Sequence, residues 1–224
     1  MEKAPPSEEQ KQKDARPSLN SAVSTSTSQR PSMLSSSSSQ MGRSSNASSK
    51  APPTTVICEA AEIQGNVNFG DGCVVHPGAF IDARGGTIIF GEHNIIEEKA
   101  RIVNKIRGKD PKTGRPIMKE MRIGSYNLFE CGCTISSSEI GDMNDFCHKS
   151  FVEDNCKIAS CCYVGPKVTL PVGTKMVENQ VAYEDGKMMV NQENSTADIK
   201  KPKMKELCGI QAVQVAKHNN LRKV

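Results

Sequence analysis

A large aliphatic residue or phenylalanine recurs at every sixth position from residue 57 onward, and this spacing constrains the fold more than any other feature of the chain. The series opens with Ile57, Ile63, Phe69, Val75 and Ile81, and two residues before each stands a small or β-branched one: Thr55, Ala61, Val67, Cys73 and Ala79. An α-helix (period 3.6) or a plain strand (period 2) does not mark every sixth position. A hexapeptide β-helix repeat does. The phase slips by three residues across "DARGGTIIF" and resumes at Phe90, Ile96 and Ile102. After an interruption over residues 104–122 the pattern returns at Ile123, Phe129 and Ile135, takes one five-residue step, and continues through Ile140, Phe146, Val152, Ile158, Val164, Leu170 and Met176. These eighteen hexads make six coils if three hexads close one triangular turn.

The sequence itself tests that closure. Taking every third hexad gives a column of Phe69, Phe90, Ile123, Ile140, Ile158 and Met176, followed by Gly70, Gly91, Gly124, Gly141, Ala159 and Val177. Four consecutive coils thus place glycine at one corner, where a left-handed or tightly turned backbone suits it. The expected fold class is all-β: a parallel β-helix of about six triangular coils, with strands spaced at about 4.8 Å and aliphatic ladders inside. An α/β or bundle domain is the alternative architecture.

Composition fits a narrow core. Only 36% of the 224 residues are hydrophobic and 4% aromatic, with no Trp, too few large side chains for a wide interior. Of the 32 residues from 18 to 49, 15 are serine, and such a segment cannot bury enough surface to offset its ordering entropy. Residues 1–53 are therefore expected to be a disordered tail, residues 54–183 the β-helix with a loop at 104–122, and residues 184–224 a linker and C-terminal helix. In that helix Met204, Leu207, Cys208, Gln211 and Val215 share one stripe from Lys203 onward, suited to covering a wall or an end of the β-helix. The N-terminus has no apolar run resembling a signal peptide or anchor, and no stretch reaches transmembrane length, so the expectation is a soluble cytoplasmic chain without direct membrane insertion.

Nine cysteines in a reducing compartment point to packing rather than disulfides. Cys73, Cys133, Cys156 and Cys162 take the small inward position on three different faces, and neither "CGC" nor the Cys161–Cys162 pair has zinc-site spacing. His93 is most simply a turn residue, with Asn94 and Ala100 as small inward partners. One outward column, Glu98, Cys131 and His148 on successive coils, could place an acid–base or ligand set together. It is the enzymatic candidate, weighed against an ordinary polar wall. No catalytic residue, metal or cofactor is assigned.

The segments "VVHPGAFIDARGGTIIFGEHNIIEEKARIVN", "IGSYNLFECGC" and "IGDMNDFCHKSFVEDNCKIASCCYVG" resemble the dynactin pointed-end subunits of the hexapeptide-repeat class. That resemblance implies a left-handed coil and a non-catalytic place at the pointed end of dynactin's actin-like filament. It also implies pairing with a dynactin subunit 5-like β-helix protein and an actin-related pointed-end subunit, and a contribution to cargo or adaptor binding in dynein-driven transport in the cytoplasm and cytoskeleton. γ-Class carbonic anhydrases and acyltransferases share the hexads and supply the alternative, a β-helix enzyme. A histidine pair five residues apart would mark the former. Here Glu98 follows His93 at that distance, and Glu153 follows His148.

The resemblance does not account for the charge of the insertion. "NKIRGKDPKTGRPIMKEMR" carries seven Lys/Arg against two acidic residues. Its Gly and Pro content marks a protruding loop, and Lys105, Arg107, Lys109, Lys112 and Arg115 are candidate contacts for an acidic partner surface, along with the wall residues Glu97 and Glu98. Without aromatic residues to stack on bases, nucleic acid is not an expected partner.

Overall fold

Three ladders of parallel pairs define the three faces of the coil. The computed structural model describes residues 48–184, 186–191 and 196–223, so the serine-rich tail expected to be disordered lies outside it up to residue 47. On the first face Ile57, Val75, Ile96, Phe129, Phe146 and Val164 are register partners from coil to coil. On the second, Ile63, Ile81, Ile102, Ile135, Val152 and Leu170 stand in line. The third aligns Phe90, Ile123, Ile140, Ile158 and Met176. Strands such as Glu62–Asn68 continue round a corner, so the second and third faces form one nine-stranded sheet and the first an eight-stranded one.

The eighteen marked residues are all buried, none more than 6% exposed, and they belong to one continuous core. Burying each contributes about 1.5–3 kcal/mol, which lets a narrow interior hold without Trp. Phe69 stacks on Phe90 with centroids 5.0 Å apart, and Phe129 on Phe146 at 5.1 Å, so aromatic neighbours lie parallel like the strands that carry them. Ala182 adds the first rung of a seventh coil, in register with Val164. The hexad pattern fades after Met176 because this rung is only an alanine, a weak mark of burial.

A second ladder inside the core is polar. Asn94, Asn127 and Asn144 are fully buried at successive first-face corners. Asn94 Oδ1 accepts from the backbone and side-chain amides of Asn127, both at 3.0 Å, and Asn127 Oδ1 accepts from the Asn144 N–H at 2.8 Å. Asn144 Oδ1 then accepts from the Cys162 N–H at 2.7 Å. The inward position before the marked residue thus takes asparagine where a corner N–H must be satisfied away from water.

The glycine corner has a different cause from the one the spacing suggests. Gly70, Gly91, Gly124 and Gly141 do stack, but none has a positive φ. A Cβ on Gly70 would lie 2.5 Å from the Gly91 backbone, one on Gly91 2.8 Å from Gly124, and one on Gly124 2.6 Å from Gly141. Coil-to-coil approach at this corner leaves no room for a side chain. The left-handed backbone falls two residues later, at Gly72, His93, Tyr126, Met143, Cys161 and Asn179, with φ between 51° and 65°. His93 is therefore a turn residue.

Residues 48–50 and 220–222 both add to the first coil. Strand Ser48–Lys50 pairs in parallel with residues 66–68, so the last residues of the predicted tail are ordered. The exposed strand edge of the first coil offers backbone partners, and serine needs no buried side chain to use them. On the neighbouring face Asn220 accepts from the Glu59 N–H and Arg222 donates to Ile57, both at 2.8 Å. Helix α1, Thr196–His218, lies on the first face, where Met204, Cys208 and Val215 are buried against Cys58, Val74 and Ile95. It begins seven residues before the expected Lys203 and runs through Pro202. Lys200, two residues before that proline, is anchored at 2.6 Å on both the Asp145 carboxylate and the Met143 carbonyl.

The two irregularities of the repeat are one feature in space. The three-residue slip makes strand Phe80–Phe90 long, and its Gly85 and Gly86 receive the base of the insertion from the next coil. Gly85 donates to Asn104 and accepts from Lys119, each at 2.9 Å. Built Cβ atoms on Gly85 and Gly86 would fall 2.3 Å from the Asn104 carbonyl oxygen and 2.2 Å from that of Lys119. The insertion is also shorter than 104–122: Met121 and Arg122 already belong to strand Met121–Ile123, and Met121 is fully buried. A single methionine between polar residues gives no hexad signal.

Candidate functional site

The outward column on the first-face corner assembles in part as its spacing suggests. The Cys131 thiol lies 3.3 Å from both Glu97 Oε2 and Glu98 Oε2, and the Cys131 N–H donates to Glu97 Oε2 at 3.0 Å. His148 does not complete the set through its ring. Its backbone N–H donates to Glu130 Oε2 at 2.8 Å. The histidine that does join is His76, one coil earlier: Nδ1 is 3.0 Å from Glu98 Oε1 and Nε2 is 2.9 Å from Gln211 Oε1 on α1. Sequence reasoning missed His76 because it follows Val75 directly whereas Glu98 is two beyond Ile96. The available signal was the register of those two rungs, with Glu98 as the longer neighbour.

The chemistry of this column is that of a closed hydrogen-bonded set. Partial desolvation of the exposed Cys131, reinforced by hydrogen bonds and charge from Glu97 and Glu98, pushes its thiol up to about 12, so it stays protonated and donates to the carboxylates. Burial also works to raise the Glu98 carboxyl, but its own backbone N–H, His76 and Cys131 outweigh that and hold it below the usual range. Donor atoms of Glu97, Glu98 and Cys131 all lie within 4.8 Å of one another, close enough to share an ion. A protonated thiol between two carboxylates is nevertheless a poor nucleophile, since the thiolate is the reactive form. Several other thiols shift the same way: burial raises Cys73, Cys147 and Cys162 to about 11 and Cys208 to about 12.

The candidate contacts on the insertion separate into two groups. Lys105 Nζ is 3.2 Å from Asp154 Oδ2, and Arg107 hydrogen-bonds Asn155, so these two tie the loop to the wall. Lys109, Lys112 and Arg115 are exposed, and among the described residues none has a carboxylate within 4 Å. The backbone makes a hairpin, with Lys109 bridged to Pro116 and the Asp110 N–H donating to Arg115 at 2.8 Å.

A third surface is the end of the last coil. Among the described residues, strands Thr169–Leu170, Lys175–Met176 and Lys187–Val190 each pair on one side only. Val172, Val177, Met189 and Val190 are each more than half exposed around them. No hexad marks this end as special, because its character comes from where stacking stops. Among the described residues no helix is long and apolar enough to cross a membrane.

No family model matches the chain, but curated relatives do. Dynactin subunit 6 of Xenopus tropicalis is 38% identical over 152 residues, which are 68% of this chain and 75% of that protein. Dynactin subunit 6 of Nematostella vectensis is 36% identical over 129 residues, 58% of this chain and 70% of that one. Among solved structures, a hexapeptide transferase family protein from Anaplasma phagocytophilum is similar with a TM-score of 0.53 and 13% identity, over 73% of this chain and 90% of its own. At that identity the likeness speaks for the β-helix fold alone.

Proposed function

This chain belongs to the dynactin subunit 6 family, and from that membership we propose that it is a non-catalytic subunit of the dynactin pointed-end complex, supporting dynein-driven transport along microtubules. The observation that carries the reading is the 38% identity over 152 residues, 68% of this chain and 75% of the relative. A structural role is supported by the wall column, whose thiol is held protonated and whose carboxylates are engaged with Cys131 and His76. The same membership supports cytoplasmic, cytoskeleton-associated placement.

For partners, the proposal is a subunit 5-like β-helix protein and an actin-related pointed-end subunit. The end of the last coil is the surface best suited to such a neighbour. Among the described residues its strands are paired on one side and leave backbone groups open on the other, and its exposed Val172, Val177, Met189 and Val190 offer apolar area, the two requirements for adding another chain to a sheet edge.

Affinity purification of the tagged full chain from its own cells tests the reading. Actin-related and dynein-associated subunits should co-purify, and their absence would overturn it. Met189→Asp with Val190→Asp should reduce recovery of the β-helix partner at least several-fold while the protein itself stays soluble. Stoichiometric zinc together with CO2 hydration by the purified chain would refute the non-catalytic role.

A further inference from the structure

We propose that the hairpin of the insertion is a docking site for an acidic segment of a partner protein that carries clustered apolar side chains. The hairpin joins a basic tip to an apolar stem. Lys109, Lys112 and Arg115 are exposed around the turn. In the stem Ile106 is 53% exposed, Ile117 45% and Met118 60%. They lie on the two facing arms, which are joined where the Arg107 N–H donates to the Ile117 carbonyl and the Ile117 N–H to the Gly108 carbonyl. Three large apolar residues left about half exposed on one short loop present apolar surface that a partner can cover.

Charge complementarity sets the sign of the occupant. Both acidic residues of the insertion are engaged within the chain: Asp110 Oδ1 accepts from the backbone N–H groups of Lys112 (2.7 Å) and Thr113 (3.0 Å), and Glu120 pairs with Arg122 at 2.6 Å. What remains facing solvent at the tip is positive, which attracts and orients an acidic segment. Affinity beyond simple attraction then comes from the stem.

The hairpin is held for this purpose. Asn104 clamps its base by donating to Gly86 at 3.0 Å and Lys119 at 2.7 Å, and Lys105 and Arg107 fasten one arm to Asp154 and Asn155. A loop fixed at both arms loses little entropy when a partner binds. Lys105 and Arg107 are therefore positioning residues, and recognition belongs to Lys109, Lys112, Arg115, Ile117 and Met118. The reading stands apart from complex membership, because it concerns what the isolated chain binds.

Fluorescence anisotropy with the purified full chain tests it. The probe is a labelled 14-residue peptide, half Glu/Asp with interspersed Leu and Phe, compared with a matched peptide in which Ser replaces each Leu and Phe. The apolar peptide should bind at least about tenfold more tightly than the Ser peptide, and its binding should weaken as salt rises. K109E/K112E/R115E should cost about tenfold or more and I117S/M118S about fivefold, with thermal midpoints unchanged because these side chains are exposed. Equal binding of the two peptides, or no binding at 100 µM as an order-of-magnitude ceiling for specific recognition, would overturn the proposal. So would tighter binding, through the same residues, of phosphatidylserine vesicles or single-stranded RNA, since the partner class would then be wrong.

Discussion

The side-chain amide of Asn104 donates to the main-chain carbonyl of Lys119, fifteen positions further along the chain, at 2.7 Å and closes the mouth of the excursion between them. The same amide reaches Gly86 in the preceding coil. A single buried residue thus binds the insertion both to itself and to the stack.

Asn104→Leu should destabilise the chain by about 1–3 kcal/mol, because it leaves buried carbonyls without donors. Hydrogen exchange at residues 105–118 should accelerate more than at the core rungs. Uniform acceleration throughout the chain would mean that Asn104 supports the stack and not the hairpin.

At the glycine corner Gly124→Ala places a methyl group 2.6 Å from the Gly141 backbone and should cost about 1–3 kcal/mol by overpacking. Gly209→Ala in α1 is the contrasting case. Nothing lies within 4 Å of its built Cβ, so this change should stabilise by about 0.5–1 kcal/mol through helix propensity. Urea midpoints of the two variants measure the difference in sign.

Ile96→Asp should destabilise severely, because a carboxylate would replace a fully buried rung in surroundings with nothing to solvate it. Loss of the β-sheet circular dichroism signal at 25 °C is the expected readout. Wild-type stability in this variant would contradict the inward register.

Asp82 makes a paired contact with the Arg84 guanidinium, at 2.9 and 2.6 Å, and also accepts from the Arg84 N–H at 3.0 Å. Burial works to raise its carboxyl, but these Arg84 interactions prevail and lower it. The folded value therefore lies below the unfolded one, near 3.9 as a rough reference. The contribution is fully present above the unfolded value and is lost as pH falls through the folded value. The stability difference between wild type and Asp82→Asn, followed by urea unfolding, should stay constant from pH 7 to about pH 5 and shrink below about pH 4.

Cys131 is exposed yet should alkylate slowly. With its thiol pushed up to about 12, the thiolate fraction at pH 8 is far below that of an ordinary cysteine near 8.5. Iodoacetamide labelling followed by mass spectrometry should show at least about tenfold slower modification than in the unfolded chain. Glu97→Gln with Glu98→Gln should speed it up.

How much of this was legible in the sequence depends on the range of the interaction. Phe69, Phe90 and Ile123 announced the third face because a repeating coil returns the same environment at a regular interval, and a solvent-free interior selects apolar side chains each time. The four stacked glycines were legible as a column, but their cause was not. The limit at Gly91 is the distance to Gly124 on the next coil, and a string of residues contains no such distance. The bond from Gln211 to His76 was out of reach for the same reason, since Gln211 arrives from a helix whose placement only packing decides.

The sequence by itself determined the coil, its inward residues, the stripe by which α1 attaches and the basic character of the insertion, all of which follow from local period and composition. Only the tertiary structure decided that the slip at Gly85 and Gly86 and the insertion after Val103 are one construction. It also decided that Lys105 and Arg107 hold the hairpin while Lys109, Lys112 and Arg115 face outward, and that the last coil ends on one-sided strands. The physical reason is common to all three. Steric exclusion and hydrogen bonding between coils depend on which residues stacking brings together, and a periodic sequence fixes the spacing of the rungs without fixing what happens where the period breaks.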